Sequence, residues 1–168
     1  HNALVRYSHQ SADVLWRATA QADQAKWYSS DQIPLRAVQR GDIGRFGQID
    51  PTDGGRTHRY VISTDYIRDN EKTTTQFNAY ALDYSLHLFS DFTYFLNDPV
   101  NMDQFEQTDQ RLVLGVNASR TWKTPSAENT VGYQMRSDNI TPVSLYLARA
   151  QNIIGTTRID RVRETSNA

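Results

Sequence analysis

Ala79-Tyr80-Ala81-Leu82-Asp83-Tyr84-Ser85-Leu86-His87-Leu88-Phe89-Ser90-Asp91 is the stretch that decides the fold class. Tyr80, Leu82, Tyr84, Leu86 and Leu88 are apolar or aromatic, and Asp83, Ser85 and His87 fall between them. Side chains alternate across a strand, so this run has an apolar wall and a polar one. It predicts one extended strand of about 13 residues, against about 5–6 in an ordinary globular sheet. A long, two-faced strand is what a transmembrane β-barrel requires.

The period returns along the chain. Val14, Trp16, Ala18, Ala20 and Ala22 alternate with polar residues, as do Tyr60, Ile62, Thr64 and Tyr66, and Leu112, Leu114, Val116 and Ala118. Ala3, Val5 and Tyr7 begin the pattern, and Val131, Tyr133 and Met135 continue it. A soluble β-sandwich or lipocalin-like barrel also alternates. Its outer face, however, would carry Lys and Glu, whereas small polar residues stand opposite the apolar set here. The reading predicts Leu82, Leu86, Leu112 and Leu114 toward lipid, with Asp83, Ser85, His87 and Asn117 toward the lumen.

Composition bounds the function. The chain has 168 residues, a formal net charge of -1 and no cysteine. Near-zero charge argues against a nucleic-acid surface held by bulk electrostatics. Without cysteine, disulfide scaffolds and thiolate metal sites are excluded. Mean hydropathy is -0.67, and no apolar run approaches the roughly 18 residues of a transmembrane helix. Low hydropathy is compatible with a barrel, because half of each strand is polar. No secretory signal is present in these residues, and both ends read as cut within strand-like sequence.

Connections alternate between short and long. Gln10–Ala12, Asn70–Glu71 and Thr124–Ala127 read as tight turns, and Ser29–Arg56, Tyr94–Phe105 and about Asn139–Thr157 as long loops. Outer-membrane barrels have short periplasmic turns and longer extracellular loops. The expected fold is therefore all-β: a partial, antiparallel, up-and-down transmembrane β-barrel of about seven strands with long extracellular loops. Tyr66, Phe77 and Trp122 lie near the tight turns, and Trp27, Tyr28, Phe89, Phe92 and Tyr94 near the long loops, as two interfacial girdles would. Within the first loop, Pro34–Arg40 followed by Gly41 predicts a short helix.

Catalytic and metal motifs are absent. Asp50-Pro51-Thr52-Asp53-Gly54-Gly55 fails the EF-hand pattern, having Thr52 and Gly54 where oxygen ligands belong. His1, His9, His58 and His87 share no zinc-like spacing. No Gly-x-Ser-x-Gly elbow, phosphate-binding glycine loop or His-Glu-x-x-His occurs. Neither an enzyme nor a cofactor or metal site is expected.

The loop segments carry a resemblance. Gln32-Ile33-Pro34, Arg36-Ala37, Gly44-Arg45-Phe46-Gly47 and Ile49-Asp50-Pro51-Thr52-Asp53-Gly54-Gly55-Arg56-Thr57 resemble an extracellular loop of TonB-dependent outer-membrane receptors. So do Phe92-Thr93-Tyr94-Phe95-Leu96 with Asp98-Pro99-Val100-Asn101 and Asp103-Gln104-Phe105-Glu106-Gln107. A third match is Arg136-Ser137-Asp138-Asn139-Ile140, Pro142-Val143, Leu145-Tyr146 and Thr157-Arg158-Ile159-Asp160. The resemblance implies a mid-barrel segment of a 22-stranded barrel filled by an N-terminal plug. It also implies uptake of a scarce nutrient, such as a metal chelate, across the outer membrane. The implied partners are outer-membrane lipid, the remaining barrel and plug, the small-molecule ligand, and TonB through an N-terminal region not contained here.

On that reading the ligand candidates are Arg36, Arg40, Arg45 and Arg56, whose planar donor forks suit an anionic chelate. Asp50, Asp53, Asp98, Asn101 and Asp103 join them, with the carboxylates equally able to pair with those arginines and order the loops. The alternatives are a complete small outer-membrane barrel, acting as adhesin or structural anchor, and a soluble β-rich binding domain.

Overall fold

Each alternating run becomes a strand that pairs with its neighbour in chain order, because every connection returns the chain antiparallel to the run before it. The computed structural model describes residues 1–168. The strands are β1 (Asn2–Gln10), β2 (Val14–Tyr28), β3 (Gly54–Asp69), β4 (Thr73–Ser90), β5 (Phe105–Lys123), β6 (Glu128–Arg149) and β7 (Asn152–Asn167). They form one up-and-down sheet in the order β1 to β7, and the sheet does not close. One helix, α1 (Leu35–Arg40), lies in the β2–β3 connection, and Gly41 caps its end in the left-handed region at φ 79°.

Side-chain polarity sets the turns. Between β3 and β4 the Asn70 carboxamide oxygen accepts the amides of Lys72 and Thr73 at 3.0 and 2.9 Å. Between β5 and β6, Thr124 Oγ1 accepts the Ala127 amide at 3.0 Å. Both are local side-chain substitutes for a backbone turn. These two turns and Ser11–Asp13 share one end of the sheet. The connections Ser29–Asp53 and Asp91–Gln104 share the other.

The third long loop does not form. β6 runs 22 residues to Arg149, and the chain reverses at Ala150 and Gln151, with φ of 46° and 63°. Two positive φ angles match the right-handed twist of a hairpin. Pro142, which reads as a loop residue, instead sits in a bulge: the β5–β6 register shifts between Asp109 and Arg111, and the β6–β7 register between Ile140 and Val143. Proline has no N–H for the ladder, and a bulge is where a strand tolerates it.

Register also corrects the faces. Leu82 lies opposite Val61 and Val113, while Leu112 lies opposite Asp83 and Leu114 opposite Ala81. Leu82 and Leu86 therefore occupy the face opposite to Leu112 and Leu114. Asp83, Ser85 and His87 share the face of Leu112, and Asn117 takes the other. Alternation within one strand separates its two walls but says nothing about which wall continues onto the next strand; the ladder decides that.

With the register in hand, the face bearing Leu112 carries an apolar belt over the half of the sheet near the tight turns. Trp16, Tyr66, Phe77, Ala118 and Tyr133 form one cross-strand row; Ala18, Thr64, Ala79, Val116 and Met135 form the next; Ala20, Ile62, Ala81 and Leu114 run above them. Tyr7 meets Trp16 edge-on at 5.6 Å between ring centroids. The reverse face one residue away is polar: Arg17, Asp65, Asn78, Asn117 and Gln134 form a ladder across five strands. Asn78 donates to Asp65 at 2.9 Å, and Asn117 donates to Asn78 at 3.1 Å.

Near the long connections the pattern inverts. There the reverse face carries Val61, Leu82, Leu86, Leu88, Val113, Val143 and Leu145, and the belt face carries Lys26, Arg56, His58, Ser85, His87, Glu106, Thr108 and Gln110. No hydrophobic core is enclosed. The buried apolar residues are Phe89, Val113 and Ala148, whereas Ile62 is 64% exposed and Val131 66%.

Candidate functional site

The two long connections meet over the loop end of the sheet, on a hub made by Gln104. Its side chain is 1% exposed and sits immediately before β5. Its amide nitrogen donates to Asp50 at 3.1 Å, Thr52 Oγ1 at 2.8 Å and Asp53 at 3.1 Å, all at the close of the first loop. Its amide oxygen accepts the Gln151 backbone N–H at 2.8 Å. Gln151 in turn donates its side-chain amide to the Thr52 carbonyl at 2.7 Å. One buried carboxamide thus ties the first loop to the β6–β7 turn and holds Gln151 in its left-handed conformation. A buried amide with both ends satisfied is rigid and costly to remove.

Asp91 is the second anchor, with 0% exposure. Its carboxylate accepts the amides of Tyr94 at 2.5 Å and Asp103 at 3.2 Å, folding the second loop back on itself. The Asp91 amide donates to Asp31 at 3.0 Å, and the Tyr94 hydroxyl donates to the Gln32 carbonyl, so the second loop grips the first. Gly54 closes the first loop where a Cβ would stand 2.2 Å from the Trp27 carbonyl oxygen, at φ 146°. Only glycine fits there.

Burial sets the electrostatics. Desolvation pushes the Asp53 carboxyl up to about 7; the Gln104 hydrogen bond opposes this, while Asp50 and Asp31 add to it. Asp91 is raised for the same first reason, opposed by its two backbone donors. Asp98 is held low by the Asn101 side chain, then by the amides of Asn101 and Val100. At Asp103 burial pushes upward, but the donors from Asn97, Asp98 and Thr93 outweigh it and the carboxyl is lowered.

The sequence candidates separate into three groups. Asp50 and Asp53 are buried, with oxygens committed to Gln104 and Thr52. Asp98, Asn101 and Asp103 build the second loop, their carboxylates taken by local amides, by Thr93 and by Arg149 at 3.4 Å. Arg36, Arg40 and Arg45 are exposed on the first loop; Arg40 pairs with Asp42 at 2.7 Å, and Arg36 and Arg45 make no ion pair. None of the four aspartates pairs with Arg36, Arg40, Arg45 or Arg56. The carboxylates do order the loops, but through amides and hydroxyls. Arg56 is not a loop residue: it stands on β3, opposite Lys26 and His87.

Gln104, Gln151 and Asp91 were not among the candidates. A lone Gln carries no motif, and only burial exposes its role. No group of three or more His, Asp or Glu side chains converges as a metal-ligand set. No protein-family model, curated protein or solved structure matches the chain.

Proposed function

We propose that this sheet is part of the wall of an outer-membrane β-barrel, and that it serves a TonB-dependent receptor in taking up a small nutrient such as a metal chelate. The observation that carries the reading is the belt. Apolar side chains line one face of the turn half, an aromatic row bounds them, and a polar ladder backs them one residue away. That is the cross-section of a lipid-facing wall with a wet lumen. β4, β5 and β6 have 18, 19 and 22 residues, whereas a tilted strand needs about 9–11 to cross the hydrocarbon. The excess forms the loop half, above the membrane.

Open edges on β1 and β7 support a segment of a larger barrel rather than a complete one. In lipid each unpaired edge N–H and C=O costs free energy, so only a closed barrel is viable. The rest of the barrel and a plug would then complete both wall and site. Arg36 and Arg45, unpaired on the first loop, are the residues best placed to meet an anionic ligand.

The test is fractionation of the whole protein that carries this chain, followed by uptake. Recovery in the outer membrane with β-type circular dichroism, and loss of nutrient uptake when the energising partner is removed, support the reading. Recovery as a soluble monomer without detergent overturns it.

A further inference from the structure

Just beyond the belt, on the same face and toward the long loops, lies an open groove of about 760 Å³ lined by Gln24, Lys26, Arg56, His58, Ser85, His87 and Gln110 among others. Lys26 and Arg56 are directly opposite each other in the β2–β3 ladder, and His87 follows Arg56 in the same row. Like charges placed directly opposite are destabilising. Neither Lys26 nor Arg56 has an ion-pair partner, and both are exposed. The two acidic residues in reach are already engaged: Asp83 with His58 at 2.9 Å, and the buried Glu106 with His87 at 2.7 Å. At the turn end, by contrast, Arg68 is matched by Asp13 at 2.9 Å, and Arg120 lies over the Trp122 ring. Lys26 and Arg56 thus form a cation pair held directly opposite one another with no acidic partner.

From this we infer that Lys26 and Arg56 form a docking site for the phosphate groups of lipids in the membrane leaflet on the loop side. The inference rests on the membrane reading above. An anion bridging the two side chains turns a repulsive pair into an attractive one. Arg supplies a fork for phosphate oxygens and Lys a point charge. Gln24 and Gln110 flank them one row nearer the belt; Gln24 gives its amide to the Tyr60 hydroxyl, and the Gln110 amide faces the sugar or glycerol part of a headgroup. The belt below takes the acyl chains, so headgroup and tail are met by adjoining rows of one face. Free phosphate would engage the charges but forgo the belt, which makes the lipid the favoured source.

The test uses the whole protein carrying this chain, in phosphatidylcholine nanodiscs with or without a glycolipid bearing two phosphates. The glycolipid is expected to raise Tm by several degrees, because a ligand that binds only the folded state stabilises it. In K26Q/R56Q the glycolipid concentration for a half-maximal shift should rise at least tenfold, while R120Q at the turn end leaves it unchanged. Inorganic phosphate at equal phosphate concentration should give no shift. An undiminished response in K26Q/R56Q, or a full response to inorganic phosphate, overturns the site. Should the double variant not insert, K26Q and R56Q are read singly, and unchanged responses in both overturn it. A parent protein that enters nanodiscs but ignores the glycolipid refutes this site alone; one that never enters refutes the membrane reading as well.

Discussion

The turn half and the loop half of this sheet are made from the same strands, yet their apolar side chains lie on opposite faces. In the turn half Ile62, Ala81 and Leu114 share the belt face; in the loop half Val61, Leu82 and Val113 share the reverse face. The change falls where the alternation breaks into contiguous apolar runs, Tyr60-Val61-Ile62 on β3 and Leu112-Val113-Leu114 on β5. A strand confined to one environment has no use for such a run. One that leaves one environment for another must change the face it makes apolar. The halves also differ in what holds them. The turn half relies on ladder pairing and a row of half-buried polar bonds, and the loop half on a few buried polar hubs.

The sharpest way to break this contrast is at Gln104. Gln104→Leu takes the side-chain donor from Asp53 and the acceptor from the Gln151 amide, and leaves Asp50 with Thr52 alone, at about 1–3 kcal/mol for each unsatisfied buried group. The expected result is loss of protease protection in Ser29–Asp53 with the turn half intact. Amide exchange that rises equally in both halves would show that the two are not separable.

A belt substitution probes the other half. If the belt meets lipid near the midplane of a closed barrel, Leu114→Arg should cost about 2–4 kcal/mol. Gln110→Arg, on the same face but above the belt and partly exposed, should cost far less. Comparable losses in denaturant titrations of the two variants would remove the boundary between halves.

Acidity should tighten the loop half alone. Asp53 has its folded pKa raised to about 7 against an ordinary 3.8, so the folded state holds the extra proton. Its contribution is fully present below about pH 4 and is lost as pH rises through about 7. Between about pH 5 and 7 the loss amounts to about 2 kcal/mol by linkage. Asp53→Asn, with no carboxyl to ionise, should flatten the protection factor of the Gln151 amide over that window. A profile unchanged by the substitution would mean another group sets it.

The smallest effect belongs to the reverse-face ladder. Asn78→Ala removes the bonds to Asp65 and Asn117, each worth about 0.5–1.5 kcal/mol at most and partly replaced by water at this half-exposed face. A shift of about 1 kcal/mol in the midpoint is expected. A much larger one would mean that the ladder is dry.

Strand existence, order and antiparallel pairing were legible because alternation and turn chemistry are local. So was α1, with Pro34 before it and Gly41 after it. The third loop was misread because Pro142 and Asn139 resemble turn residues, while the real turn at Ala150 and Gln151 carries no turn signature. Its left-handed angles are tolerated because Gln104, remote in sequence, accepts the Gln151 amide. The faces of β4 were misread because its own period is symmetric under exchange of the two sides.

What the sequence determined by itself was a long-stranded, up-and-down, all-β chain with polar loops gathered at one end. Period, turn residues and composition act within a few residues of each other. Only the tertiary structure decided which face is the belt, where that face changes sides, and that Gln104 rather than any arginine–aspartate pair organises the loops. Those outcomes depend on register and burial, and both are set by partners 15 to 50 residues or more away, as Leu82 is from Val113 and Gln104 from Asp53.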